Sequence, residues 1–413
     1  MTPGSLRRLR RGYFAALLAA LALFPGAISA ARPCTARDCL SAGRVRWSRP
    51  LPGDWVASSG PDGTVPADGD AYAAMNHGAA AIGIGLTVYA YRSRTGAPLW
   101  ATALPGFGAG ARLVSVRVWP GVVTAGVDVP SRQAGGAPAR REVVLSEATG
   151  RVIRTYPAAS FGGAVSADRK RTVIVGPTAV TSYDNRSGAV AWSHPTGPAA
   201  QAWRLDRSVL YLTVADGGYL SGAPVRALRR INLRTGAQRL VRPPGRSFRG
   251  ELSRVLDGVA VFTDSRGTVS YNGYTGARLW RRTGTVPVLS DSAGRLLYLS
   301  YGAALVGVNP WTGRTEAHVA GGSAAGTSAF YAARDGVVLG LDPGAQGDAW
   351  GYDVAAGQVL WTNPSVPWPH YFVDLSGIGG SADSASGGVL LAWCARVGAG
   401  QRCARPELTA LNW

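Results

Sequence analysis

Lysine is almost missing from this 413-residue chain: Lys170 is the only one among 43 basic residues, so arginine carries the cationic character. Arginine in place of lysine, with abundant Ala, Gly and Pro, is the coding habit of a GC-rich genome and points to an actinobacterium-like source. Histidine and cysteine are scarce, at four each, and only 16% of residues are charged. His77, His194, His318 and His370 lie scattered without a partner at metal-ligand spacing, which leaves no zinc-type constellation. There is no Gly-x-Ser-x-Gly elbow, no phosphate loop and no Cys-x-x-Cys pair, so three common catalytic signatures are absent. Asp68-Gly69-Asp70 supplies two acids without the remaining ligands of a calcium loop. Low charge with 56 glycines and 26 prolines leaves little room for long helices and suits strands and turns.

Beyond the N-terminus no segment is long and apolar enough to span a bilayer. Residues 1–31 read as an export signal: Arg7, Arg8, Arg10 and Arg11, an apolar run from Tyr13 to Phe24 broken at Pro25-Gly26, then Ser29, Ala30 and Ala31. Residues 32–43 follow as a cysteine-bearing leader. Arg32-Pro33 before Cys34 is not a lipid-anchoring sequence, so the expected location is outside the cytoplasm, released or held by the wall. Formal charge is +19, and the four arginines of the signal leave +15 on the remainder. Such a field favours an anionic surface in the envelope, a membrane surface or wall polymer, over nucleic acid, which an exported protein seldom meets.

What is abundant is one short pattern. Val269 to Trp280, VSYNGYTGARLW, is a strand, a tight turn ending on Gly276, and a second strand with Trp280 four residues after the glycine. The glycine supplies the positive φ the turn demands. The same pattern recurs at Gly96, Gly188 and Gly357, followed by Trp100, Trp192 and Trp361. At Gly150, Gly236 and Gly313 the Trp position is held by Arg154, Leu240 and Ala317, and a half-copy at Gly43 carries Trp47. The glycines are 53, 54, 38, 48, 40, 37 and 44 residues apart. A period in the forties made of short strands reads as a β-propeller with one four-stranded blade per repeat.

The Asp/Asn-x-x-Thr-Gly-x-x-x-Trp kernel resembles the PQQ-type propeller repeat of quinoprotein alcohol dehydrogenases, of BamB-like lipoproteins and of some actinobacterial kinase sensor domains. The resemblance implies the propeller over residues 44–413. It does not carry the enzyme: the quinoprotein dehydrogenases have adjacent cysteines over the cofactor and a Glu/Asn/Asp calcium site, and this chain offers no match to either. No cofactor is therefore expected, and pyrroloquinoline quinone with calcium is the alternative to test.

Eight blades are expected. RVRWSR, residues 44–49, lacks a preceding partner, and residues 407–413 stop where a turn glycine should follow, so the N-terminal strand should complete the C-terminal blade. That blade should comprise Tyr371–Leu375, Val389–Cys394, Glu407–Asn412 and the N-terminal strand. Trp47, Trp100, Trp192, Trp280 and Trp361 are expected to be buried, each docking on the next repeat's turn glycine. Of three pairings open to four cysteines, blade topology favours Cys34 with Cys39 and Cys394 with Cys403, the latter two facing each other across a hairpin. Most long connections fall on one face of the propeller: Leu51 to Asp70, Val129 to Arg140, Asp216 to Val225, Asp342 to Asp348 and Ala395 to Arg405. They carry Trp55, Arg132, Arg140, Arg141, Tyr219, Arg396 and Arg402, a mixed aromatic and cationic set suited to a protein or an anionic or carbohydrate envelope component. The expectation is a monomeric, non-catalytic binding or scaffold module.

Overall fold

The computed structural model describes residues 45–51 and 55–56. From 71 to 412 it describes all but 76–77, 132–137, 159–162, 169, 177–178, 197–199, 207, 216–223, 246, 292–294, 302–303, 320–328, 335, 342–348, 364–387, 395–401 and 404–405. The leader cysteines Cys34 and Cys39, Gly43, Arg132, Tyr219 and Arg396 lie outside the described residues.

Two strands open the chain, β1 (Val45–Pro50) and β2 (Trp55–Val56). The first four-stranded sheet holds β3 (Ala71–Met75), β4 (Ala79–Ile84), β5 (Thr87–Arg92) and β6 (Pro98–Ala103); the second holds β7 (Arg112–Trp119), β8 (Val122–Val129), β9 (Ala139–Ser146) and β10 (Val152–Ala158). The third is β11 (Gly163–Asp168), β12 (Arg171–Val175), β13 (Ala179–Asp184) and β14 (Val190–Pro195). The fourth is β15 (Ala200–Asp206), β16 (Val209–Ala215), β17 (Val225–Asn232) and β18 (Gln238–Val241). The fifth is β19 (Glu251–Leu256), β20 (Val259–Asp264), β21 (Gly267–Asn272) and β22 (Arg278–Thr283). The sixth is β23 (Val286–Asp291), β24 (Leu296–Tyr301), β25 (Ala304–Val308) and β26 (Thr315–Val319). The seventh is β27 (Ala329–Arg334), β28 (Val337–Leu341), β29 (Ala349–Asp353) and β30 (Gln358–Asn363). The chain ends in β31 (Gly388–Cys394), β32 (Arg402–Cys403) and β33 (Pro406–Asn412).

Each four-stranded sheet is an antiparallel meander in chain order, and the fold is all-β, with successive sheets following one another as the blades of a propeller do. First strands lie against one another, β3 on β7, β15 on β19, β19 on β23 and β23 on β27, while β3 also meets β31. A three-stranded sheet joins the two ends of the chain in the order β1, β33, β31, with Ser48 Oγ donating to Glu407 Oε2 at 2.9 Å. The segment Tyr371–Leu375 expected beside them is outside the described residues.

The core lies between sheets. Middle strands such as Leu296–Leu299 and Val259–Phe262 are buried on both faces, and their near-continuous apolar runs follow from that. Clusters cross from sheet to sheet: Phe248, Phe262 and Tyr271 pack with Val225, Leu228 and Val241. Phe248 stacks on Phe262 at 5.1 Å and meets Tyr271 edge-on at 4.9 Å.

The repeated turn is built from its own residues. In the fifth sheet Asn272 Oδ1 accepts the N–H of Tyr274 and of Thr275, Thr275 Oγ1 accepts that of Ala277, and Gly276 donates to Asn272 O. Asn232, Asn309, Asp184 and Asp353 cap their turns in the same way. This is the Asx-turn chemistry of short polar side chains. The seven turn glycines Gly96, Gly150, Gly188, Gly236, Gly276, Gly313 and Gly357 have φ between +65° and +76°.

These glycines also make room for the preceding sheet. A Cβ on Gly96 would lie 2.6 Å from Trp47, on Gly150 2.5 Å from Trp100, on Gly236 2.6 Å from Trp192 and on Gly313 2.6 Å from Trp280. Indole N–H groups of Trp47, Trp100 and Trp280 each donate at 2.8 Å to the carbonyl three residues before the glycine, on Ser93, Glu147 and Pro310. Two residues past each Trp, Arg49, Thr102, His194 and Arg282 hydrogen-bond to the glycine's own carbonyl. Each of these four outer strands thus clamps the next sheet's turn with two side chains of one face. Only Trp47 is fully buried; Trp100, Trp192 and Trp280 are half-buried, because a last strand has one face open to solvent. The side chain of Trp361 lies outside the described residues.

Where the Trp is missing, three solutions appear. The Arg154 guanidinium covers Gly188 and donates to Ser187 O at 2.8 Å. Ala317 turns inward against Gly307, and a Cβ on Gly357 would meet nothing nearer than Tyr352 Oη at 3.8 Å. Leu240 stays 40% exposed, and the Arg242–Pro243 backbone closes over Gly276 instead.

Candidate functional site

The expected ligand loops are partly visible. A two-residue ladder pairs Trp55 with Cys403 and Val56 with Arg402, so the connection after β1 is held to the one before β33. Trp55 and Arg402 therefore stand in adjacent register positions of one small sheet. The hairpin reading of Cys394 and Cys403 needs correction in its register. Cys394 faces Pro406, whereas Cys403 belongs to the separate ladder with Trp55. Whether Cys394 and Cys403 bond lies outside the described side chains.

Arg140 and Arg141 begin β9. Arg140 is committed within the chain: opposite Asp128 across the ladder, it forms a two-pronged ion pair, Nε to Oδ1 and Nη2 to Oδ2 at 3.0 Å. Arg141 is exposed beside it. Trp55 and Arg402 share one ladder in neighbouring, not directly opposed, positions, while Arg140 is spent on Asp128.

The first strands hold what the sequence reading missed. Six of the seven carry a β-bulge, β3 alone running in unbroken register. Arg117, Arg204 and Arg254 occupy equivalent positions, two residues before the end of their ladders. Arg204 Nε donates to Ser253 O at 2.6 Å, and Arg254 donates to Val288 O. Ser253 and Val288 are the residues that the next strand's bulge leaves out of the ladder. An arginine of one sheet thus satisfies a carbonyl that the following sheet cannot pair. Arg117 lies over the Trp203 ring at 5.5 Å. Burial holds its guanidinium below the ordinary value, nearby Glu142 opposing and Arg140 adding to the shift. Glu142 is itself buried above Gly126, where a Cβ would lie 3.0 Å from its Oε1.

Acids at the last position of first strands tie neighbouring sheets as well. Asp206 Oδ2 accepts the Gly258 N–H at 2.7 Å and Asp291 Oδ2 that of Gly336 at 2.8 Å. Among the described residues no group of three or more His, Cys, Asp or Glu could hold a metal ion. His194, one of the scattered histidines, serves the turn of Gly236 through Nε2 at 2.6 Å.

No known family pattern matches the chain, nor does any curated protein of related sequence. Solved structures do resemble it. The computationally designed Ika8 protein is 12% identical, with 83% of this chain and 95% of that one covered at a TM-score of 0.51. BamB from Moraxella catarrhalis is 16% identical over 70% of this chain and 80% of its own, at 0.40. The quinohemoprotein alcohol dehydrogenase ADHIIG from Pseudomonas putida HK5 is 14% identical over 89% and 76%, at 0.48. At these identities the likeness concerns the fold alone.

Proposed function

We propose that this chain is an exported, eight-bladed propeller whose ring is completed by β1 in the C-terminal blade, and that it works as a non-catalytic binding or scaffold module of the cell envelope. The observation that carries the reading is the β2–β32 ladder. It fastens the segment after β1 to the one before β33, with Trp55 and Arg402 in neighbouring positions of the ladder. Rigid sheets presenting fastened loops are the usual arrangement for binding. An aromatic and an arginine carried by the two fastened segments are residue types that suit an anionic or carbohydrate component of the envelope. The resemblance to BamB-like repeats supports a surface role, and the surplus of positive charge supports an anionic partner.

The test is calorimetric titration of the mature protein. Pyrroloquinoline quinone, with and without calcium, should give no heat, and tight calcium-dependent binding would overturn the non-catalytic reading. Isolated cell-wall material should sediment the protein, and Trp55→Ala with Arg402→Gln should weaken that at least several-fold. Unchanged sedimentation of the double variant would remove the loop platform from the reading.

A further inference from the structure

Positive charge is not spread evenly. Between residues 200 and 283 stand fifteen arginines and five acids, which places ten of the fifteen net charges outside the signal segment on two sheets. Composition bias explains arginine for lysine; it does not explain this asymmetry.

The arginines converge where the Trp clamp is missing, at the junction of the fourth and fifth sheets. Across the fourth sheet Arg204, Tyr211, Arg230 and Arg239 face one another in register. Residues directly opposite in a ladder present their side chains on one side, about 5 Å apart, and two like charges so placed repel. The Arg230 guanidinium lies 4.0 Å over the Tyr274 ring of the fifth sheet and 5.4 Å over Tyr211, whose hydroxyl accepts its Nε–H at 3.2 Å. Arg230 is therefore fixed in place. Arg239, Arg242 and Arg278 are exposed, Tyr274 is 44% exposed, and the Arg242 carbonyl packs on Gly276, two residues from both Tyr274 and Arg278. Among the described residues no ion pair joins Arg230, Arg239, Arg242 or Arg278 to a carboxylate. Asp206, within electrostatic reach of Tyr211, has a carboxylate oxygen on the Gly258 N–H.

From the opposed Arg230 and Arg239, with Arg242, Arg278 and the Tyr274 ring along one junction, we infer a second binding surface that takes a phosphodiester-linked anionic polymer of the envelope. The guanidinium fork matches phosphate oxygens two at a time, and one phosphate between two opposed arginines removes their repulsion. The arginines are spread over two sheets, Arg230 on β17, Arg239 on β18 and Arg278 on β22, which suits a chain of repeated phosphates more than a single small anion. Tyr274, 44% exposed, lies under the Arg230 guanidinium and holds that charge at the surface. This surface rests on the envelope-binding reading but uses different residues from the Trp55 platform.

The test is titration with a purified poly(glycerol phosphate) chain at about 0.15 M salt, comparing wild type with two variants of equal net charge. Arg239→Gln with Arg242→Gln should weaken binding at least about tenfold and lower the salt slope by about 1 to 2. Arg151→Gln with Arg186→Gln, exposed on other sheets, should change it less than about twofold. Equal weakening by both variants would reduce the surface to a diffuse field and overturn the site. Absence of polymer binding, or single-stranded DNA of equal charge binding as tightly, would overturn the polymer assignment. Either failure leaves the loop platform standing, because its sedimentation assay depends on Trp55 and Arg402.

Discussion

Arg204 Nε donates at 2.6 Å to the carbonyl of Ser253, a residue 49 positions on that the bulge of β19 leaves outside its own ladder. One strand's irregularity is completed by its neighbour's side chain, and Arg254 repeats the arrangement on Val288. The bulges are thus part of the contact between sheets. Replacing Arg204 by Met keeps the apolar stem and removes the donor. That should cost about 1 to 3 kcal/mol, the usual penalty for orphaning a carbonyl away from water. Urea unfolding measures it, and an unchanged midpoint would show that water replaces the guanidinium at no cost.

The Trp280 and Gly313 contact should appear as coupling. Gly313→Ala places a Cβ 2.6 Å from the indole at a φ of +68°, so it should cost about 1 to 2 kcal/mol for backbone strain and more for the clash. Trp280→Ala should cost about 2 to 3 kcal/mol in lost burial. In the double variant the clash term vanishes, so its loss should fall short of the sum by about 1 kcal/mol or more. Strict additivity in thermal unfolding would mean the ring and the turn do not share one contact.

Alkaline pH should destabilise the fold through its buried tyrosines. Burial pushes the Tyr211 hydroxyl up to about 12, with Arg230 acting the other way, and Tyr298, Tyr156 and Tyr91 are raised in the same direction by burial. The folded chain therefore holds protons that the unfolded chain releases near pH 10. The stabilisation is intact below about pH 10 and is lost as pH climbs towards 12. Denaturant midpoints taken from about pH 8.5 to 11 should fall at the upper end, and Tyr211→Phe should flatten that fall. A wild-type profile level to pH 11 would contradict the burial of these hydroxyls.

Removing residues 45–50 should do more harm than their number suggests. The deletion strips β33 of a partner and exposes an apolar edge through Leu408, Ala410 and Leu411. Size-exclusion chromatography should show dimers or larger species, whereas Trp47→Ala, which keeps the strand, should stay monomeric. A monomeric deletion variant would show that β33 needs no cover.

What the sequence made legible was local. Asn272 to Gly276 dictates its own turn through hydrogen bonds spanning two to four residues, so the repeat could be counted by eye. The clamp was half legible. Trp280 stands out, but Arg282 two places on does not, because its acceptor belongs to the next repeat. A signal was there: the residue opposite Trp47, Trp100, Trp192, Trp280 and Trp361 is always small, Ala410, Ala90, Ser182, Ser270 and Gly351. Opposite Arg154 and Leu240 stand Val144 and Arg229 instead. The bulge-spanning arginines and the β2–β32 ladder join residues tens to hundreds of positions apart. No spacing rule reaches that far.

The pairing of β1 with β33 also sets a schedule. Ser48 and Glu407 meet across 359 residues, so β1 waits for a strand made 359 residues later before it gains its partner β33. Contacts of that separation bring their reward only after the whole intervening chain has been ordered, which slows the final step. During synthesis β1 is a bare apolar-faced strand with nothing to add to. Whatever keeps it from mispairing in that interval acts on the order of assembly and leaves no trace in the finished contacts.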